Sequence, residues 1–179
     1  MAAADDKLIF FKTGKTISKN NTVEIRKTIK SIAVNDKYIA MVLENDTKSA
    51  QEKYQAVVYG NLKEDNFTVD LPIGRHPKDR KKMAVTYKNS KNAITHVKVL
   101  ARYNGFTHIE LTLETGRTHQ IRVHMAQLGH PVAGDIVYGP AKNPIKFLNG
   151  QCLHAYYISF EHPRDKRIIT VETELPEYF

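Results

Sequence analysis

A single cysteine, Cys152, and no tryptophan stand in the whole chain. One thiol cannot close an internal disulfide, so packing alone must hold the fold. The Cys152-Leu153-His154 run invites a zinc reading, but structural zinc needs about four converging ligands and there is no second cysteine, so no metal is expected. Long apolar runs are missing too. One of the longest, Tyr38-Ile39-Ala40-Met41-Val42-Leu43, falls far short of the ~20 residues that cross a bilayer. No apolar segment with a cleavage site follows Met1, so a cytoplasmic protein with no membrane partner is expected. Internal repeats, low-complexity tracts and Ser/Gly-rich linkers are also lacking, which points to one unit, residues 1–179, expected to be a monomer.

Acidic residues are in the minority. Lysine and arginine number 27 against 19 Asp and Glu, a formal charge of +8 with a pI near 9.5. Such a balance favours polyanions, because each cation that neutralises a phosphate releases condensed counterions. The excess is concentrated in Arg75-His76-Pro77-Lys78-Asp79-Arg80-Lys81-Lys82. That stretch reads either as a solvated loop or as a phosphate-binding face, and its proline and mixed charge argue against a membrane-surface helix.

With 41% hydrophobic residues the chain can bury one core. Lys7 to Phe11 and Thr16 to Ser18 read as short strands. Ile25 to Val34 alternates apolar and basic residues, and Asn35-Asp36 is placed to cap a helix running to about Ala50 with Ile39, Val42 and Leu43 on one face. A strand from Tyr54 to Tyr59 ends at Gly60, and the next, carrying Phe67, Val69 and Leu71, is closed by Pro72. Ile94 to Arg102 and Phe106 to Leu113 alternate on either side of Asn104-Gly105, which predicts a β-hairpin with a type I′ turn. Thr118 to Leu128 then switches to helical spacing, with Thr118 as cap and Gly129 as stop. A second hairpin is expected from Ala155 to Glu161 and Arg167 to Glu174 around Pro163-Arg164-Asp165. The fold class is α+β, with a mainly antiparallel mixed sheet and flanking short helices.

The chemistry is concentrated at the start of that helix. Gly116-Arg117-Thr118-His119-Gln120-Ile121-Arg122-Val123-His124 brings two arginines, two histidines and a glutamine to a helix N-terminus, where free backbone N–H groups already favour anions. On a helix, His119 and Arg122 would lie roughly 60° apart and His119 and His124 about 140° apart. The wide angle disfavours a metal-dependent nuclease built on the two histidines. His124 reads as a hydrogen-bonded, partly buried side chain, and His119 as either structural or ligand-facing. Arg122, flanked by Ile121 and Val123, would be costly to bury without a carboxylate or phosphate partner.

Glu114 to His124, followed by His130-Pro131-Val132-Ala133-Gly134-Asp135 and Tyr138-Gly139, resembles the signature block of RluA-type pseudouridine synthases, and so do Pro72-Ile73-Gly74-Arg75, Leu153-His154-Ala155 and His162-Pro163. The matches are ordered as in that family over residues 35–176, whereas 1–34 diverge, and no separate N-terminal RNA-binding domain is recognisable. The resemblance implies a pseudouridine synthase-like catalytic domain that isomerises uridine in ribosomal or transfer RNA without a cofactor. It implies three site positions: an aspartate that attacks the uridine, a tyrosine packed on the extruded base, and an arginine paired with the aspartate. Arg122 matches the arginine and Tyr54 the tyrosine of a Lys-x-Tyr-x-Ala pattern, with Glu52 standing where the family has the lysine. Arg75, Lys78, Arg80, Lys81, Lys82, Arg117 and His119 would then face RNA, giving position more than sequence choice.

The aspartate is not found. The family's block resembles Arg-Leu-Asp-x-x-Thr-Ser-Gly, and in the matching region this chain reads Asn20-Asn21-Thr22-Val23-Glu24-Ile25-Arg26-Lys27-Thr28-Ile29. Glu24 is the nearest carboxylate but lacks the flanking residues, and Asp135 in the Gly134-Asp135 pair reads as structural. Arg122 and Tyr54 can position a uracil but cannot break its glycosidic bond covalently. Three explanations stay open: an inactive relative that still binds RNA, a truncated or rearranged form of an active synthase, and an aspartate supplied from elsewhere in the fold.

Overall fold

The computed structural model describes residues 8–12, 29–34, 38–43, 51–141, 145, 148, 150–161 and 167–179. These divide into two compact units, residues 1–52 with 155–174, and residues 53–154 with 175–179. The expected Thr16–Ser18 strand, the Pro163-Arg164-Asp165 turn, His162 and Glu24 lie outside the described residues.

In the first unit, β1 (Leu8–Lys12), β2 (Ile29–Val34) and β3 (Tyr38–Leu43) form an antiparallel sheet with β3 in the middle. β3 corrects an expectation, because the spacing of Ile39, Val42 and Leu43 predicts one face of a helix. Its apolar run is paired on both sides, Ile39 with Phe11 and Val34, Met41 with Ile9 and Ile32. A short continuous apolar run fits a central strand as well as a helix, and the two flanking ladders decide it. β11 (Leu153–Glu161) and β12 (Ile168–Glu172) pair antiparallel, as the alternation predicts.

The second unit is built on the antiparallel order β4 (Gln51–Tyr59), β10 (Phe106–Leu113), β9 (Ile94–Tyr103) and β5 (Asn66–Asp70). Alternate residues point inward: Thr107, Ile109 and Leu111 from β10, Thr95 and Val97 from β9, and Ala56 and Val58 from β4 are buried. The β9–β10 hairpin turns at Asn104-Gly105, with Tyr103 facing Phe106. Its turn is not type I′, which needs positive φ at both central residues, since only Gly105 has one, at 78°.

Against this face lies α1 (Gln120–Gln127), the one α-helix among the described residues. Ile121 and Met125 join Val58, Ile109, Leu111 and Val132 in the core; burial of such side chains is worth ~1.5–3 kcal/mol each. The expected start at Thr118 is corrected: the N-cap is His119, in the left-handed region, with no side-chain cap bond. The stop is as expected. Gly129, at φ 80°, donates its N–H to the Ala126 carbonyl and His130 its own to that of Met125, a Schellman closure. A small sheet, β7 (Met83–Val85), β6 (Ile73–Arg75) and β8 (Ser90–Lys91), carries the basic stretch.

Candidate active site

The loop between β10 and α1 is pinned by one side chain. Gln120, buried to 3% exposure, accepts from the Thr115 hydroxyl and the Arg117 N–H and donates to the Ile94 carbonyl and the Thr95 hydroxyl. All four of its hydrogen-bonding positions are filled, so it acts as a fixed post beneath the helix start. His124 is fully buried, with Nε2 on the Leu71 carbonyl at 2.9 Å and Nδ1 on the Thr95 hydroxyl at 2.9 Å. Burial lowers its pKa, against smaller opposing pulls from the Leu71 carbonyl and Asp70. It is a neutral structural imidazole, turned away from any shared role with His119.

Arg122 rises from the first turn of α1. It meets Asp135 side-on, Nε to Oδ2 at 2.7 Å and Nη2 to Oδ1 at 2.8 Å, with side-chain exposures of 12% and 0%. Asp135 also accepts the N–H groups of Val137 and Tyr138 on Oδ1, at 2.8 and 3.0 Å. Burial pushes this carboxyl's pKa up, but Arg122 and the two backbone donors outweigh it and leave it lowered. The Asp135 hydrogen bond is the largest influence on Arg122 and raises its pKa. Neither group changes charge near neutrality.

The Asp135 loop is positioned through the sheet. Pro131 to Ala133 runs along β4, with Tyr59 N–H to the Pro131 carbonyl and Ala133 N–H to that of Val57. Gly134, φ 73°, leaves no room for a Cβ beside the Gly150 carbonyl, and a Cβ on Gly139 would collide with the Asp135 carbonyl. Backbone contacts of this kind cannot be relieved by a side-chain rotation, which accounts for both glycines.

Over the ion pair sits the ring of Tyr138, whose place beside Gly139 in the chain gives no sign of this role. The Arg122 guanidinium carbon is 5.0 Å from the Tyr138 ring centroid, within cation–π range. The Tyr138 hydroxyl accepts the Met83 N–H at 2.9 Å and lies 2.9 Å from His119 Nδ1. The contact engages Nδ1 and leaves Nε2 without a partner among the described residues. Burial and the Arg122 charge lower the His119 pKa, which favours the neutral imidazole. His119 and Arg122 therefore converge, though through Tyr138 and a left-handed N-cap rather than through shared helical spacing.

The remaining expected residues are spread more widely. Tyr54 lies on β4 opposite Leu111 and packs against the main core. Glu52 is buried. Arg117 donates Nε to the Asn92 carbonyl. Lys78, Arg80 and Lys81 are exposed, Lys82 is half-buried, and Arg75 donates to the Arg80 carbonyl at 3.1 Å. Burial raises the Cys152 thiol to about 11, so it is an inert core group. Among the described residues no group of three His, Cys, Asp or Glu is placed to hold a metal, and no helix is long and apolar enough to cross a membrane.

The family described as RNA pseudouridylate synthase matches residues 17–127. An uncharacterized RNA pseudouridine synthase of Bacillus subtilis, YlyB, is 53% identical over 130 residues, covering 73% of this chain and 42% of the relative. Ribosomal large subunit pseudouridine synthase D of Neisseria meningitidis is 42% identical over 147 residues, covering 77% of this chain and 39% of the relative. The chain thus spans about two-fifths of the length of these curated relatives. Among solved structures, human RNA Pseudouridylate Synthase Domain Containing 1 superposes with a TM-score of 0.67 and 25% identity, covering 83% of this chain and 69% of that one. Human RNA Pseudouridylate Synthase Domain Containing 4, at TM-score 0.59, 21% identity and coverage of 80% and 68%, shares the fold.

Proposed function

Because the chain belongs to the RNA pseudouridylate synthase family, we propose that it is a pseudouridine synthase-like protein of structured RNA, ribosomal or transfer, which receives an extruded uridine beside Arg122 and isomerises it. The observation that carries this reading is the side-on Arg122–Asp135 pair. It fixes the guanidinium and leaves the Nη1 edge without a partner among the described residues, available to a carboxylate or to a pyrimidine oxygen. Tyr54 is the surface assigned to the base, since an extruded base needs a flat apolar face. Arg75, Lys78, Arg80, Lys81, Lys82, Arg117 and His119 are assigned to the RNA backbone. The conversion breaks the N1–C1′ bond, forms C5–C1′, and moves a proton from C5 to N1, so it balances without oxidant, reductant or metal.

A second reading, RNA binding without turnover, has its own support. Asp135, the carboxylate at the site, has no exposed side-chain surface and already accepts four N–H bonds. A carboxylate so engaged is a poor nucleophile. Incubation with ribosomal or transfer RNA, followed by carbodiimide treatment and primer extension, separates the two. A new stop establishes isomerisation, salt-sensitive binding without a stop leaves the binding role alone, and no binding at low salt overturns both.

A further inference from the structure

The loop that joins β6 to β7 and the turn that joins β7 to β8 line a cavity of about 790 Å³, with Arg75, His76, Pro77 and Arg80 on one side and Thr86, Lys88 and Asn89 on the other. Its volume falls within the ~300–1,000 Å³ typical of ligand sites. Among the described residues that line it there is no carboxylate. Asp79, the acid of the basic stretch, accepts the Lys81 N–H at 3.0 Å.

The cavity wall is braced by its own backbone. His76 Nδ1 accepts the N–H groups of Lys78 and Asp79 at 3.2 and 3.0 Å, so the neutral ring bears its proton on Nε2 and is a donor there. His76 N–H donates to the Lys82 carbonyl, and Lys82 N–H to that of Asp79. Opposite, the turn from Thr86 to Asn89 is held by Thr86 N–H on the Pro72 carbonyl at 3.1 Å and by Lys88 N–H on the Thr86 hydroxyl at 3.3 Å. Asn89 adopts φ 52°. Gly74 lets this turn lie against β6, because a Cβ there would stand 2.7 Å from Thr86 Cγ2 and 2.9 Å from the Asn89 carbonyl.

At the tip of that braced turn Tyr87 is 81% exposed. A basic cavity beside a solvent-held aromatic ring combines the two elements that bind single strands, phosphate neutralisation and a stacking platform. β7, which joins the basic stretch to this turn, also reaches the candidate active site, since Met83 N–H donates to the Tyr138 hydroxyl.

We propose that this cavity and Tyr87 form a subsite for an unpaired nucleotide, its phosphate held by Arg75, Arg80, Lys88 and His76 Nε2 and its base stacked on Tyr87. The subsite rests on the RNA reading above and adds a preference for single-stranded over duplex RNA, outside the uridine pocket.

The test compares fluorescence anisotropy of a labelled oligouridylate and of a duplex of equal length, using the full chain and its variants. Tyr87→Ala should weaken single-strand binding roughly tenfold and leave duplex binding unchanged, while Tyr87→Phe keeps the single-strand affinity. Arg80→Ala with Lys88→Ala should weaken both and flatten the salt dependence by about one unit per charge removed. Circular dichroism melts should coincide for Tyr87→Ala and the parent. Equal loss on both RNAs, no loss on either, or a Tyr87→Phe variant as weak as Tyr87→Ala overturns the subsite. So does Tyr87-dependent binding to vesicles of anionic phospholipid with RNA binding indifferent to Tyr87. Absence of all RNA binding by the parent chain overturns the function proposed above as well, whereas RNA binding insensitive to Tyr87 overturns this inference alone.

Discussion

Arg122 gives two of its N–H groups to a buried carboxylate, whereas Arg80 and Lys88 line a cavity with no acid among its described lining residues. Both regions carry arginine and histidine, and they use them in opposite ways. Under α1, Gln120, His124, Asp135 and the Tyr138 hydroxyl are tied to protein partners. Around residues 75–89 the backbone is braced while Lys78, Arg80, Lys81 and Lys88 stay exposed. The signature block is therefore mostly scaffold, and the groups open to a ligand there are few: one edge of Arg122, one nitrogen of His119 and the Nη groups of Arg117. The basic hairpin offers more open positive charge than the block that carries the family resemblance.

The sharpest way to break this contrast is Asp135→Ala. Removing one partner of a buried pair strands the other charge, so urea unfolding should register a loss of about 3–5 kcal/mol; a loss below about 1 kcal/mol would mean the frame is not fixed by the ion pair.

A smaller effect is expected from acid. Burial holds the His124 pKa below its ordinary 6.5, so the unfolded chain takes up a proton near that pH that the folded chain refuses. His124 therefore adds no penalty above that value, and stability falls as the pH drops below it, by at most ~1.4 kcal/mol per pH unit. Urea midpoints at about pH 7.5 and about pH 5.5 should show the decline, and it should shrink in His124→Asn. His119, also lowered, adds in the same direction.

The smallest stability change belongs to the other region. Arg80→Ala with Lys81→Ala should leave the unfolding midpoint within ~0.5 kcal/mol of the parent while reducing the salt slope of RNA binding by about one per residue. A marked destabilisation would make that face part of the frame and erase the contrast.

Much of the fold could be read from local pattern. The β9–β10 hairpin, the strand ending at Gly60, β12 and the stop at Gly129 depend on neighbours one to four positions away, and alternation or a glycine declares them. The misreadings share a cause. Tyr38 to Leu43 is apolar throughout, and only its ladders to β1 and β2 make it a strand. Thr118 looks like a cap, but Gln120 binds the loop beneath it and the chain enters the helix through a left-handed His119. In the candidate site, Arg122 was legible from its cost of burial, and Tyr138 was not, because a tyrosine before a glycine carries no periodic mark.

By itself the sequence determined the strand alternation, the helix with its glycine stop, the surplus of positive charge and the family, all of which are written in short-range order. Which charges neutralise each other was decided only by the tertiary structure. Asp135 reaches Arg122 because residues 131–133 are laid along β4, a strand that ends at Tyr59. Residues so far apart in the chain meet only after non-local backbone pairing has formed, and no local pattern records where that pairing will bring a carboxylate.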